Sequence, residues 1–506
     1  MSGHPTNRAI LAEQIVEVLS ESGPAKARSI AGRLRDRGVL TDKSQINSVL
    51  YSQPRFAPDA SVPPTWHISE PLIAEPETPE RAPYLIEGIG LTNWKAFAEA
   101  GLALAPLTLL YGENSAGKSS LIQALLLLKQ SWRHGSLVYE SPGATSFAFH
   151  HRVVHAHDVE IPMRLAIMWR DGSIAISASR DERWMFGPAQ PIDTFIFSSG
   201  SQLFACKAGG ENLPDDPEWR VLSLSRPEDS SVPEDPLLHE SAQPAPSLLA
   251  IAPCDQQLFP DLSQARPVEG EKEALRDADR AMQQADHAFG SIIHIGPVRS
   301  VPARDMEVSS LRSEGSYMAR LYEDPHLRDD VNLWLSKFEI PYSLAIEDYG
   351  LGEFGLKLSH NDGAEKVDLA DVGFGVSQLL PIVVQLIGER DRTILIEEPE
   401  AHVHPRLQSV LGDLFVESMQ DYRNTLLVET HSEPILLRLQ RRIADKRLNP
   451  DEVSVTHVER EDGASHLTSV EIRNDGQLDY QWPGGFFDNR MEDLVAILDP
   501  ASDGGS

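Results

Sequence analysis

Apolar residues recur along this chain with two different periods, and the change from one to the other marks its divisions. Near the N-terminus, AILAEQIVEVLSES (9–22), KARSIAGRLRDRG (26–38) and KSQINSVLYSQ (43–53) place apolar side chains three and four apart, the spacing of a helix face. A proline-bearing extended segment, RFAPDASVPPTWHI (55–68), follows them. Helices feeding a two-strand hairpin predict a small winged helix-turn-helix domain over residues 1–70. PLIAEPETPERAP carries proline and glutamate but little apolar content, and reads as a linker over 71–83.

From Tyr84 the pattern turns strand-like through LTLLYG and then helical in SSLIQALLLLKQSW, giving a first segment over 84–134. Residues 135–290 read as an insertion, with strand candidates in MRLAIMWRDGSIAISAS and a surface loop in RPEDSSVPEDPLLHESAQPAPS. After IIHIGPVRS, strands and helices alternate again through TILIEE and NTLLVETHSEP, a segment over 291–480 that precedes a C-terminal one over 481–506. Strand–helix alternation with continuously apolar strands predicts an α/β fold whose mostly parallel sheet is covered on both faces.

Composition narrows the partners. The 506 residues carry a net charge of -31, too acidic for a surface that grips phosphate backbones everywhere, so any nucleic-acid contact is local. Residues 1–70 are the exception, with 8 Lys+Arg against 7 Asp+Glu. Two cysteines cannot build a disulfide framework or a four-thiolate zinc site. No apolar run reaches the ~18–20 residues that span a bilayer. MSGHPTNRAI lacks the basic region and apolar core of a leader. The expectation is a soluble, cytoplasmic protein without membrane contact.

The sharpest chemistry lies in GENSAGKS, Gly112 to Ser119, between an apolar strand and a helix. A phosphate-binding loop needs this arrangement: glycines wrap tightly, and successive N–H groups at a helix start point at phosphate oxygens. Gly112, Glu113, Asn114, Ser115, Ala116, Gly117, Lys118, Ser119 and Ser120 are the expected nucleotide contacts. Lys118 would face the β/γ-phosphates of ATP, and the Ser119 hydroxyl would ligate magnesium. TILIEEPE adds acids on a second strand: Glu397 for magnesium and Glu398 to polarise the attacking water. NTLLVETHSEP places His431 at a third strand end, where it can meet the γ-phosphate.

The order of GENSAGKS, VGFGVSQ, IEEPEAHVHP and ETHSEP resembles AAA-family, ABC-type ATPases of the RecF, structural-maintenance-of-chromosomes and overcoming-lysogenization-defect group. LTNWKAFAEAGLALAPLTLLYGEN resembles their opening strands, and GPVRS and WPGGFFDNRMEDLVAIL resemble elements of stand-alone bacterial members. The resemblance runs from about residue 85 to 499 and is weak in the middle. It implies a homodimer that sandwiches ATP head-to-tail. Gly373, Gly375, Ser377 and Gln378 of VGFGVSQ, which departs from the family's LSGGQ, would then serve the partner's nucleotide. It also implies a γ-phosphate-sensing glutamine, for which Gln130 is a candidate. Arg299 is expected to meet phosphate, nucleic acid or an acidic side chain.

No heptads occur in the 254 positions from Ser119 to Gly373, which excludes long coiled-coil arms. The histidines of HHRVVHAHD (150–158) lack a second ligand set and read as polar surface rather than a metal site. KSQINSVLY followed by VPPTW resembles the Zα winged helices, which recognise left-handed Z-form nucleic acid. That resemblance rests on Lys43, Asn47, Tyr51, Pro63, Pro64 and Trp66, with Ser44 and Ser48 where the family has basic residues. Z-form recognition, ordinary duplex binding and protein contact all remain open for this domain. The expected whole is an ATP-hydrolysing switch or sensor associated with nucleic acid, in bacterial anti-phage defence or genome maintenance, beside a separately encoded effector such as a nuclease. Two alternatives stand: an ATP-dependent nuclease with a site in 135–290, and a winged-helix regulator dimerised by its nucleotide domain.

Overall fold

The computed structural model describes residues 14–15, 18–19, 25–37, 39, 41, 46, 50, 56–58, 65–68, 81–132, 134, 136–140, 145–147, 150–179, 189–199, 202–208, 218–224, 247–253, 262–299, 306–307, 317–350, 353–360, 363, 366–371, 374–480 and 482. The chain divides into two compact units, Met1–Glu80 and Arg81–Ser506.

In the first unit a helix, Ala27–Asp36, adjoins a three-stranded antiparallel sheet of Ala25–Lys26, Thr65–Ile68 and Phe56–Pro58, with Thr65–Ile68 in the middle. Ile15, Val18, Ile30, Leu34, Ile46 and Leu50 form its core, so all three apolar helical patterns contribute to one cluster. Trp66 pairs through its backbone with Ala25 on one side and Pro58 on the other. Lys43, Asn47, Tyr51, Pro63 and Pro64 lie outside the described residues.

The second unit is built on mixed sheets. Its six-stranded sheet contains β1 (Leu107–Gly112), β2 (Ile292–Ile295), β3 (Thr393–Glu397), β4 (Thr425–Glu429), β5 (Val453–Glu461) and β6 (Ala464–Val470), in the order β2-β3-β4-β1-β5-β6. The first five are parallel and β6 returns antiparallel. Every residue of β1 and β4 is buried, as strands covered on both faces must be. On one face Leu110, Leu395, Leu427 and Val458 meet helix α1 (Lys118–Ser131). On the other, Leu109, Ile394, Ile396 and Val428 meet α2 (Phe374–Gly388), α3 (Pro405–Asp421) and α4 (Glu433–Ala444).

The expected mostly parallel sheet accounts for only part of the unit. A larger, nine-stranded sheet is antiparallel throughout and runs from Arg266–Pro267 to Phe97–Ala103. Residues expected as an insertion extend this sheet from the opening strands Ile86–Trp94 and Phe97–Ala103. The physical reason is connection length. Trp169 pairs with Gly172, so only Arg170 and Asp171 join two strands, too few for the crossover that parallel strands require. The Ile86 N–H donates to Thr393 Oγ1 at 3.2 Å, linking the antiparallel sheet to β3. A smaller sheet containing Tyr342–Gly350 and Glu353–His360 packs with the helix Pro325–Lys337 against α2. Among the described residues, no helix is long and apolar enough to cross a membrane.

Candidate nucleotide site

The loop Gly112–Ser119 leaves the C-terminal end of β1, the third strand in from the β6 edge, and enters α1. Two of its glycines are required. Gly112 has φ +153°, and a Cβ there would stand 2.1 Å from the Val458 carbonyl oxygen. Gly117 has φ +110°, and its Cβ would stand 2.8 Å from Ser465 Oγ. Ser465 braces the loop, its hydroxyl donating to the Ala116 carbonyl at 2.5 Å and its N–H to Ala96 at 2.7 Å. Glu113, Asn114 and Ser115 are exposed along the loop, and the Trp94 indole donates to the Ser120 carbonyl at 2.7 Å.

Lys118 is only 3% exposed; its ammonium donates to the carbonyls of Gly112 (3.0 Å) and Glu113 (2.9 Å). Burial lowers its pKa, opposed by Glu429, Glu398 and Glu400. The cation is thus held at the loop, ringed by acids from two other strand ends.

Ser119 meets an acid that the sequence reading did not assign. Its hydroxyl donates to Glu429 Oε1 at 2.9 Å. Glu429 pairs in register with Glu397 on the neighbouring strand, so the two carboxylates leave the same face of the sheet toward α1. Glu429 is 5% exposed and its Oε2 is buried without a partner. Burial pushes its carboxyl up to about 7; the Ser119 hydroxyl and Lys118 pull it down, while Glu397 and Glu398 add to the rise. A signal for this residue was present: TLLVE repeats the pattern of TILIE, a threonine and three apolar residues ending in glutamate.

Glu397 accepts from or pairs with His294, Nε2 to Oε1 at 2.6 Å, at the end of β2. Glu398 is exposed, has φ +43°, and is set by its N–H donating to the Glu429 carbonyl at 2.9 Å. His431 is half-buried; burial and Lys118 lower its pKa while Glu398 raises it, so these three groups share one electrostatic environment. Its N–H donates to Glu400 Oε1 at 2.6 Å, and Glu400 Oε2 is buried without a partner. Lys95, on the turn between the opening strands, contacts Gln123 of α1; burial brings its pKa down to about 8, opposed by Glu397.

The structure brings Lys118, Ser119, Glu397, Glu398 and His431 together and adds Glu429, His294, Glu400 and Ser465. Gly373 lies outside the described residues, and Gly375 lies in the first turn of α2, where an added Cβ would stand 3.1 Å from the His402 carbonyl oxygen. Ser377 and Gln378 are each 1% exposed, and the Gln378 amide is bonded to the Arg299 backbone. The Arg299 guanidinium donates to the backbone carbonyls of Glu397 and Glu398 rather than to an acidic side chain. Gln130 sits at the far end of α1, twelve residues or about 18 Å from Lys118, and donates to the Val138 carbonyl at 2.5 Å. It does not reach a γ-phosphate. In the histidine cluster, His150 bonds the Tyr139 hydroxyl, His155 the Lys95 carbonyl and His157 the His151 carbonyl. No group of three His, Cys, Asp or Glu that could hold a metal ion occurs among the described residues.

Comparisons with known proteins found partial matches. Residues 245–438 match the family described as "AAA domain, putative AbiEii toxin, Type IV TA system", and residues 448–497 match a family described as a protein of unknown function. An OLD nuclease from Thermus scotoductus is 21% identical over 434 residues, covering 81% of this chain and 70% of that protein. Among solved structures, an SMC head domain from Thermotoga maritima is 12% identical with a TM-score of 0.33, covering 77% of this chain and 100% of that one. An SmcHead bound to the C-winged helix domain of ScpA is 10% identical with a TM-score of 0.42, covering 77% and 98%. The chain thus carries a phosphate loop facing acid-bearing strand ends, matches the AAA-domain family over residues 245–438, and is similar to the OLD nuclease.

Proposed function

We propose that the chain hydrolyses ATP at this site and works as a nucleotide-driven switch in a head-to-tail dimer. The observation that carries the reading is the row Ser119–Glu429–Glu397 beneath the phosphate loop, with Lys118, Glu398 and His431 beside it. Lys118 and the loop N–H groups hold the β- and γ-phosphates. Ser119 with Glu397 and Glu429 would hold magnesium, and the buried Glu429 carboxylate, whose Oε2 has no partner and whose pKa burial raises, fits a cation there. When bound, the ion offsets charge on the phosphate oxygens. Glu398 accepts the proton of the attacking water as the new P–O bond forms and the bond to the β-phosphate oxygen breaks, releasing ADP. His431 positions the γ-phosphate, and the start of α2 serves the second copy, with Ser377, 1% exposed in the single chain, uncovered as the two heads engage.

The test is turnover by Glu398→Gln. The amide keeps the side chain's shape and removes the proton acceptor, so ATP binding should persist, hydrolysis should stop and an ATP-bound dimer should accumulate. Unchanged turnover would remove Glu398 from the role.

The N-terminal unit is proposed to contact nucleic acid, of Z-form if the Zα resemblance holds through Asn47 and Tyr51, and the whole to act in the cytoplasm in anti-phage defence or genome maintenance beside a separate effector. The likeness to an OLD nuclease favours a second reading, ATP-dependent nucleic-acid cleavage. Incubating the purified chain with linear DNA, ATP and magnesium or manganese separates the two: cleavage supports the nuclease, and turnover without cleavage supports the switch.

A further inference from the structure

Arg299 joins two elements that the ATPase reading needs to move together. Its backbone faces α2: the N–H donates to Gln378 Oε1 at 3.1 Å, and Gln378 Nε2 donates back to the Arg299 carbonyl at 2.6 Å. Its side chain faces the end of β3, where Nη2 donates to the carbonyls of Glu397 at 2.8 Å and Glu398 at 3.2 Å. One residue, 6% exposed, therefore ties the residue next to Ser377 to the turn that sets Glu398.

The remainder of the guanidinium is unsatisfied. Its Nε–H and Nη1–H are buried without acceptors, and Glu400 Oε2 is buried without a donor. Glu400 is foremost among the acids that act on Arg299, ahead of Glu398 and Glu397. Arg299 and Glu400 form no ion pair in this structure, but unmatched buried donors and an unmatched buried carboxylate oxygen that act on each other electrostatically favour pairing. The other oxygen of Glu400 already holds the His431 N–H at 2.6 Å. Closure would complete a continuous link from α2 through Arg299 and Glu400 to His431, with Glu398 between.

We propose that Arg299 is a positioning residue of the hydrolytic site: it makes the signature helix and the acid-bearing turn move as one piece, with Glu400 as the counter-charge that closes the link. The inference rests on the ATPase reading of the site. A second head docking on the start of α2 would thereby set Glu398 and His431 for attack. Lysine cannot replace the arginine, because a single ammonium cannot donate from two separate edges of a planar fork.

The experiment uses the full chain with magnesium and ATP, comparing wild type with Arg299→Lys, Arg299→Ala, Gln378→Met and the Arg299→Ala/Gln378→Met double variant. Misplacement of the acid turn should lower kcat by about 100-fold in each single variant, with the Kd for ATP staying within about twofold. The double variant should be no worse than Arg299→Ala, because both changes cut one link. Hydrogen exchange with a non-hydrolysable ATP analogue gives a readout independent of turnover. Wild type should protect residues 374–388 and 396–402 together; the variants should lose that joint protection. Equal losses of kcat and ATP affinity, additive losses in the double variant, or wild-type kcat in Arg299→Lys would each overturn the inference. If Arg299→Ala does not fold, Gln378→Met decides, since it leaves the guanidinium in place. Wild type that neither binds nor hydrolyses ATP would defeat the ATPase reading itself, whereas active variants beside an active wild type defeat only the role of Arg299.

Discussion

Glu429→Gln is the perturbation that most directly tests the acid row. The amide keeps an oxygen to accept from Ser119 but deletes a charge whose carboxyl is held up to about 7 from an ordinary 4.5. A raised folded-state pKa means the folded protein prefers the protonated acid. The associated stability is fully present below about pH 4.5 and is lost as the pH rises through about 7. Above pH 8 the ionised, buried carboxylate costs about 3 kcal/mol relative to an unperturbed one, and at pH 5.5 about 1 kcal/mol. Glu429→Gln removes that cost. In EDTA, its stability gain over wild type from urea unfolding should therefore grow by about 2 kcal/mol between pH 5.5 and pH 8.5. Taking the difference between the two proteins cancels the other titrating groups. Magnesium should narrow the gap at pH 8.5, because a cation relieves the same charge in the wild type, while turnover should fall in the variant. A gap that stays constant with pH would refute the reasoning that burial of Glu429 beside Glu397 stores this energy.

Three further outcomes are expected. Lys118→Ala should weaken ATP binding by about 10- to 100-fold, the loss of one charge-assisted contact, as measured by titration with a fluorescent ATP analogue. Ser377→Arg should abolish ATP-driven dimerisation while leaving nucleotide binding to the same chain intact; equal loss of affinity would argue against a head-to-tail sandwich. With the full chain, alternating CG duplexes should shift toward the Z-form by circular dichroism, and Asn47→Ala and Tyr51→Ala should remove the shift. Equal binding of B-form and Z-form duplexes would replace shape recognition with generic docking.

The nucleotide loop was legible in the sequence because its chemistry is local. Seven residues from Gly112 to Lys118 make the turn, the N–H groups and the cation, and flanking apolar runs announce the strand and helix. The strands TILIE and TLLVE were legible for the same reason, since burial on both faces removes polar residues from the run. What the local pattern could not specify was which strand ends stand beside one another. Glu429 became part of the site only because β4 lies between β3 and β1 in register, placing it between Glu397 and Ser119. Gln130 was misplaced because a glutamine after a P-loop helix has no local mark of where the helix ends relative to the phosphates.

Arg299 makes the same point over a longer span. Its partners lie 79 residues away at Gln378 and 98 away at Glu397, and nothing in GPVRS encodes either distance. The antiparallel sheet is intermediate: the two-residue connection at Arg170–Asp171 was readable, but the addition of residues 163–267 to the opening strands was not. Sequence by itself determined the elements whose cause is periodicity, burial or a turn of a few residues. Tertiary structure alone decided strand order, register and the pairing of buried charges, because those depend on contacts between residues far apart along the chain, as with Ser119 and Glu429 at 310.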